Sequence, residues 1–98
     1  IPDQMTTSER KTIRYSDIDI NKHANNAKYF EWLYDNINLD ILRDQKIKTL
    51  EGNFLSEVKY NDSIVIKKNQ DNDSIYYQFC KNDRDVFRCR LKFENKHN

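Results

Sequence analysis

A chain of 98 residues with a formal net charge of +1 makes one small domain with room for a single modest core. Hydrophobic residues reach only 37% against 34% charged, but 12% are aromatic, and each buried ring removes a large apolar area from water. A thin, aromatic-rich core is therefore expected rather than a disordered chain. The interspersed charges give no footprint for nucleic acid or a membrane surface, and no apolar run nears the ~20 residues that span a bilayer.

Residues 1–10 are polar, lack periodicity and read as a tail or linker, with a single domain expected over residues 11–98. The first residue is Ile1 rather than Met, as expected of a piece of something longer. Residues 11–15, "KTIRY", suggest a short strand with Ile13 and Tyr15 on one face. From Asn26 onward Ala27, Phe30, Leu33, Tyr34 and Ile37 recur at three- and four-residue intervals, the spacing of an amphipathic helix. Tyr29 and Trp32 widen its apolar stripe. The spacing predicts a helix of about four turns over residues 25–37, capped by Asn25 or Asn26. Asn38 is placed to cap one further turn over 39–43.

Beyond that the period changes to two. Residues 47–60 read as a long strand with Gly52 at a bulge, and "YNDS" (60–63) as a turn. A strand over 64–68, a turn over 69–73 and a hairpin pairing 74–81 with 86–94 complete the chain. In the last strand Phe87, Cys89, Leu91 and Phe93 alternate with basic residues, opposite Ile75, Tyr77 and Phe79. Cys80 then falls on the other side of the sheet from Cys89, which rules out a disulfide between them and suits a reducing compartment. The expectation is an α+β fold in which one long helix is covered by a curved five-stranded antiparallel sheet. Such a sheet keeps exposed edges, which favours a homodimer.

Just before the helix, residues 17–29 read "DIDINKHANNAKY". Asp19, Asn21 and His23 alternate there and could converge from one side of an extended segment. Unpaired N–H groups and a positive macrodipole end suit a carbonyl oxygen gaining negative charge. A carboxylate can take a proton from water, a histidine can act as acid or base near neutral pH, and an amide can donate to an oxyanion. Capping and turn formation explain the same residue types, so spacing alone leaves both readings open.

The stretch "SDIDINKHANNAKYFEW" (16–32) resembles the signature of the acyl-acyl-carrier-protein thioesterases, which runs Asp-x-Asn-x-His, a hydrophobic residue, Asn-Asn and an aromatic helix. The resemblance continues more weakly through "FLSEVKYNDSI" (54–64) to the final hairpin. It implies the hot-dog fold, a long helix wrapped by an antiparallel sheet, and hydrolysis of fatty acyl-acyl carrier protein to free fatty acid in fatty-acid biosynthesis. Asp19, Asn21 and His23 match the catalytic loop, and Glu57 matches a glutamate with a catalytic part. The N–H groups of Ala24, Asn25 and Asn26 would hold the oxyanion, and either Asp19 or Glu57 would activate water. The plant enzymes carry a cysteine directly after that glutamate; Val58 stands there, and neither Cys80 nor Cys89 matches it. No metal or other cofactor is expected.

The chain is similar to the second of two tandem hot-dog repeats in that family. The resemblance thus implies acyl carrier protein as the substrate's carrier, with either homodimerisation or pairing to a missing N-terminal repeat. It places the protein in the bacterial cytoplasm, or in a plastid if the chain is a fragment. A single-domain acyl-CoA thioesterase and a non-catalytic acyl-binding or dimerisation module remain the alternatives.

Overall fold

The computed structural model describes residues 4–20, 23–71 and 73–96. Strand β1 (Thr6–Thr12) leads through a short 3₁₀ turn, Tyr15–Asp17, to helices α1 (Asn26–Asp35) and α2 (Leu39–Asp44). Strands β2 (Gln45–Phe54), β3 (Ser63–Asp71), β4 (Ser74–Lys81) and β5 (Arg84–Asn95) follow. The sheet has the order β1-β3-β4-β5-β2 with every pair antiparallel. This is the expected α+β arrangement.

Several boundaries differ from the sequence expectation. The supposed tail is partly strand: β1 begins at Thr6 and pairs with β3 from Thr6↔Lys68 to Thr12↔Ser63. Its polar residues mask it because an edge strand is solvated along much of its length. Helix α1 has ten residues, under three turns, rather than the four expected. It stops because Asn36 is locked in place. The Asn36 side-chain amide donates to the Trp32 carbonyl at 2.7 Å and to Glu9, while its own carbonyl accepts from Tyr77 Oη and Lys68 Nζ. Asn38 then starts α2 as its N-cap, accepting from the Asp40 N–H.

The expected stripe of α1 is borne out at most positions, with Ile37 buried and Phe30 packed against the core. Tyr29, Trp32 and Leu33 are buried, whereas Ala27 and Tyr34 are exposed. Tyr29 lies among Phe54, Phe79 and Phe87, with ring centroids 5.3–5.9 Å apart. On the sheet, Ile75, Tyr77 and Phe79 face Leu91, Cys89 and Phe87 in register, all buried as expected. Cys80 and Cys89 are free thiols, and both are buried.

The strand expected over 47–60 ends at Phe54 instead. Its irregularity falls between Ile47 and Thr49, not at Gly52. Strand β5 bulges between the pairs Phe79↔Phe87 and Cys80↔Asp85, and this displaces Val86. The Val86 carbonyl accepts from the N–H groups of both Leu55 (2.9 Å) and Ser56 (3.3 Å). The chain leaves the sheet at that point, and Glu57 follows it out.

Candidate active site

Three stretches distant in sequence meet at the start of α1. The chain doubles back between Ile18 and Ala24, which form an antiparallel bridge. Within that reversal the Asp19 N–H donates to the His23 carbonyl (2.9 Å), and the His23 N–H donates to Asp19 Oδ1 (3.4 Å). Asp19 and His23 therefore face each other across a turn, not along one side of an extended segment as expected. Asn21 lies outside the described residues.

A second bridge joins His23 to Lys59, and the Ala24 N–H donates to the Val58 carbonyl at 2.6 Å. The segment released by the β5 bulge is thus pinned against the loop. This sets His23 Nε2 3.3 Å from Glu57 Oε2. The histidine is one-third exposed and the glutamate well exposed, so their attraction is screened by water and serves orientation more than stability. Val58, only 1% exposed, anchors the segment in the core beside them.

Asn25 caps α1 by accepting the Ala27 N–H at its side-chain oxygen (3.0 Å). Its own N–H donates to the Asp17 carbonyl at 2.9 Å. Asp17 is fixed in turn, because its buried carboxylate accepts the Arg14 N–H. This corrects the expected oxyanion donors. The N–H groups of Ala24 and Asn25 are already taken up by Val58 and Asp17. Asn26, the first helical residue, is different, since helix geometry gives its N–H no acceptor within the helix.

Asp19, His23, Ala24, Asn25, Asn26, Ser56 and Glu57 line one cleft of ≈ 340 Å³. Ser56 carries no sequence signal beyond its place directly before Glu57. Tyr29 underlies this region with its phenol pushed up to about 12 by burial and then by the charges of Asp62 and Glu57, so it stays protonated. The two thiols line no part of the cleft. Burial pushes Cys80 up to about 11 and Cys89 up to about 12, which keeps both protonated at neutral pH. Among the described residues no group of three or more His, Cys, Asp or Glu side chains is placed to hold a metal ion. Among the same residues no helix is long and apolar enough to cross a membrane.

The family model for the acyl-ACP thioesterase C-terminal domain matches residues 2–97. The chloroplastic palmitoyl-acyl carrier protein thioesterase of Arabidopsis thaliana is 41% identical over 39 residues, which are 40% of this chain and 10% of that protein. A crystal structure of an acyl-ACP thioesterase from Bacteroides thetaiotaomicron superposes with a TM-score of 0.86 at 24% identity, over 96% of this chain and 42% of that one. The 12:0-ACP thioesterase of Umbellularia californica gives 0.83 at 22% identity, over 96% and 36%. A Staphylococcus aureus protein crystallised with CoA gives 0.79 at 19%, over 93% and 75%. The fold is the hot-dog fold. The chain spans less than half the length of the Arabidopsis, Bacteroides and Umbellularia proteins.

Proposed function

The chain belongs to the acyl-ACP thioesterase C-terminal domain family, and from that premise we propose that it hydrolyses the thioester of fatty acyl-acyl carrier protein and releases free fatty acid. The observation that carries this reading is the meeting of Asp19, His23 and Glu57 in one cleft at the N-terminus of α1. The thioester carbonyl lies at that helix end, where the Asn26 N–H and the positive end of the macrodipole stabilise the oxyanion. Asp19 or Glu57 takes a proton from the attacking water as its oxygen bonds to the carbonyl carbon, and Asn21 orients that water. The tetrahedral intermediate then collapses, the C–S bond breaks, and His23 delivers a proton to the departing sulfur. Val58 occupies the position of the plant cysteine, so a carboxylate-assisted water attack fits this chain better than a thiol nucleophile.

The domain pairs through its exposed sheet edge with a second hot-dog unit, either another copy or a preceding repeat. Its place is the aqueous compartment of fatty-acid synthesis, in the bacterial cytoplasm or a plastid. Acyl-ACP and acyl-CoA panels on the complete protein test the reaction. Asp19→Asn and His23→Ala are each expected to lower hydrolysis by at least about 100-fold with the fold intact. Cys80→Ser and Cys89→Ser, when folded, keep near-normal turnover. Wild-type rates in a folded Asp19→Asn/His23→Ala double variant would reduce the motif to a helix cap.

A further inference from the structure

A second cleft of ≈ 410 Å³ is lined by Ser56, Glu57, Lys81, Asn82, Arg84 and Val86. It shares Ser56 and Glu57 with the candidate active site, so the two clefts adjoin through those residues. Its far wall is the β4–β5 turn. Asn82 and Asp83 both take positive φ (51° and 64°), as a two-residue hairpin turn requires, and this sets Lys81 directly opposite Arg84.

Two cations facing each other across a strand pair destabilise a hairpin. Lys81 is offset by Asp62, 2.8 Å from its ammonium. Arg84 has no such relief: among the described residues its guanidinium makes no ion pair, and it stands exposed beside the cleft. An arginine held opposite another cation and left without an ion pair of its own is expected where a ligand supplies the missing partner. Arg84 offers five donors and accepts nothing, and the Ser56 hydroxyl and Asn82 amide add further donors. Glu57 is an acceptor at the wall shared with the active site, so the complementary ligand carries its acceptors and negative charge at the Arg84 end.

We propose that this cleft holds the phosphopantetheine arm of the thioester substrate, with Arg84 as its principal donor to the arm's phosphate and to the amide carbonyl farther from the thioester. The inference rests on the hydrolase reading of the adjoining cleft, and it fixes the substrate's direction. The thioester carbon sits at the Asp19–His23 end, and the arm leaves past Ser56 and Glu57 towards the β4–β5 turn.

The test compares acyl-ACP, acyl-CoA and the acyl thioester of N-acetylcysteamine, which lacks most of the arm, on the complete protein. Arg84→Ala is expected to raise KM about 10–100-fold for the first two substrates, with kcat/KM for the truncated thioester unchanged. Arg84→Lys recovers part of the loss, and the urea midpoint of Arg84→Ala stays at or above wild type because a like-charge pair is removed. Titration with free phosphopantetheine reads the subsite without turnover, and Arg84→Ala weakens it by a similar factor. Equal losses on all three substrates, or none, overturn the proposal. A loss confined to acyl-ACP also overturns it, because Arg84 then meets the carrier protein's surface rather than the arm. A wild-type protein that hydrolyses nothing yet binds phosphopantetheine through Arg84 would sink the hydrolase reading and leave the subsite standing.

Discussion

Asp85 shows how one side chain couples stability to pH. Its carboxylate accepts from the Gln78 amide, the Cys80 thiol and the Arg88 guanidinium. Burial alone would raise its pKa, but the Gln78, Arg88 and Cys80 donors outweigh that and hold it below the usual carboxylate range. A group depressed in the folded state lends stability above its unfolded pKa of ~3.9, and that stability is lost as pH falls through the folded value. Asp85→Ala is therefore expected to cost about 2 kcal/mol at neutral pH, with the gap to wild type closing in acid. Urea unfolding over a pH series measures it, and a gap that stays constant to the lowest pH at which both proteins fold would refute the assignment. Nothing in the spacing of Asp85 announced this role, because its partners are gathered by strand pairing. The site residues were legible for a different reason. Asp19 and His23 stand out by their spacing and their place before the helix, where a helix cap remains open beside a catalytic role, and the family resemblance favours the catalytic role and alone points to Glu57. The engagement of the Ala24 and Asn25 N–H groups was invisible, since the acceptor for Ala24 is the distant Val58 and both bonds depend on the chain reversing before the helix.

Among the elements, β2 shows what pattern can and cannot convey. Two-residue periodicity identified the strand but not its end, because the Val86 carbonyl that draws Leu55 and Ser56 away belongs to another strand. In the same way the end of α1 is set by Glu9, Lys68 and Tyr77 acting on Asn36, not by a local stop signal. Gly52 was expected to mark a bulge, yet its φ is not positive and the register is regular there. It is needed for space. A Cβ at Gly52 would lie 3.1 Å from Cζ and 3.2 Å from Cε1 of Phe87. The Phe87 ring is fully buried and held by Tyr29, Phe30, Phe54 and Phe79, so it cannot swing aside. Replacing glycine by alanine in a strand gains roughly 0.5–1 kcal/mol of backbone entropy, whereas overpacking a fixed core costs about 1–3. Gly52→Ala should thus lower stability by about 1 kcal/mol in denaturant unfolding. Wild-type stability or better would show that the ring has room to move.

Across the whole molecule, the helix protects one face of the sheet while β1 and β2 remain as edges. The two edges are not alike. Strand β1 is polar, and its neighbourhood is tied down through Glu9, Ser8 and Asn36. Strand β2 is exposed from residue 48 to residue 54, and it presents Leu50 at 37% and Phe54 at 45% exposure, with Leu55 at 48% just beyond its end. A long exposed edge bearing apolar side chains is a template for another strand. The sequence points this way through the exposed edges of its expected sheet, but it does not say which edge is open, because strand order is a tertiary property. Pairing along β2 would also reach the segment that carries Ser56 and Glu57, so association and the site are expected to be linked. Sedimentation equilibrium of this chain should show a dimer, and Leu50→Glu, which puts a charge in the seam, should weaken association at least about tenfold. A chain that stays monomeric at high micromolar concentration would contradict self-pairing. The same β2 edge would then be left for a preceding hot-dog repeat, and Leu50→Glu would act instead on the contact between the two halves.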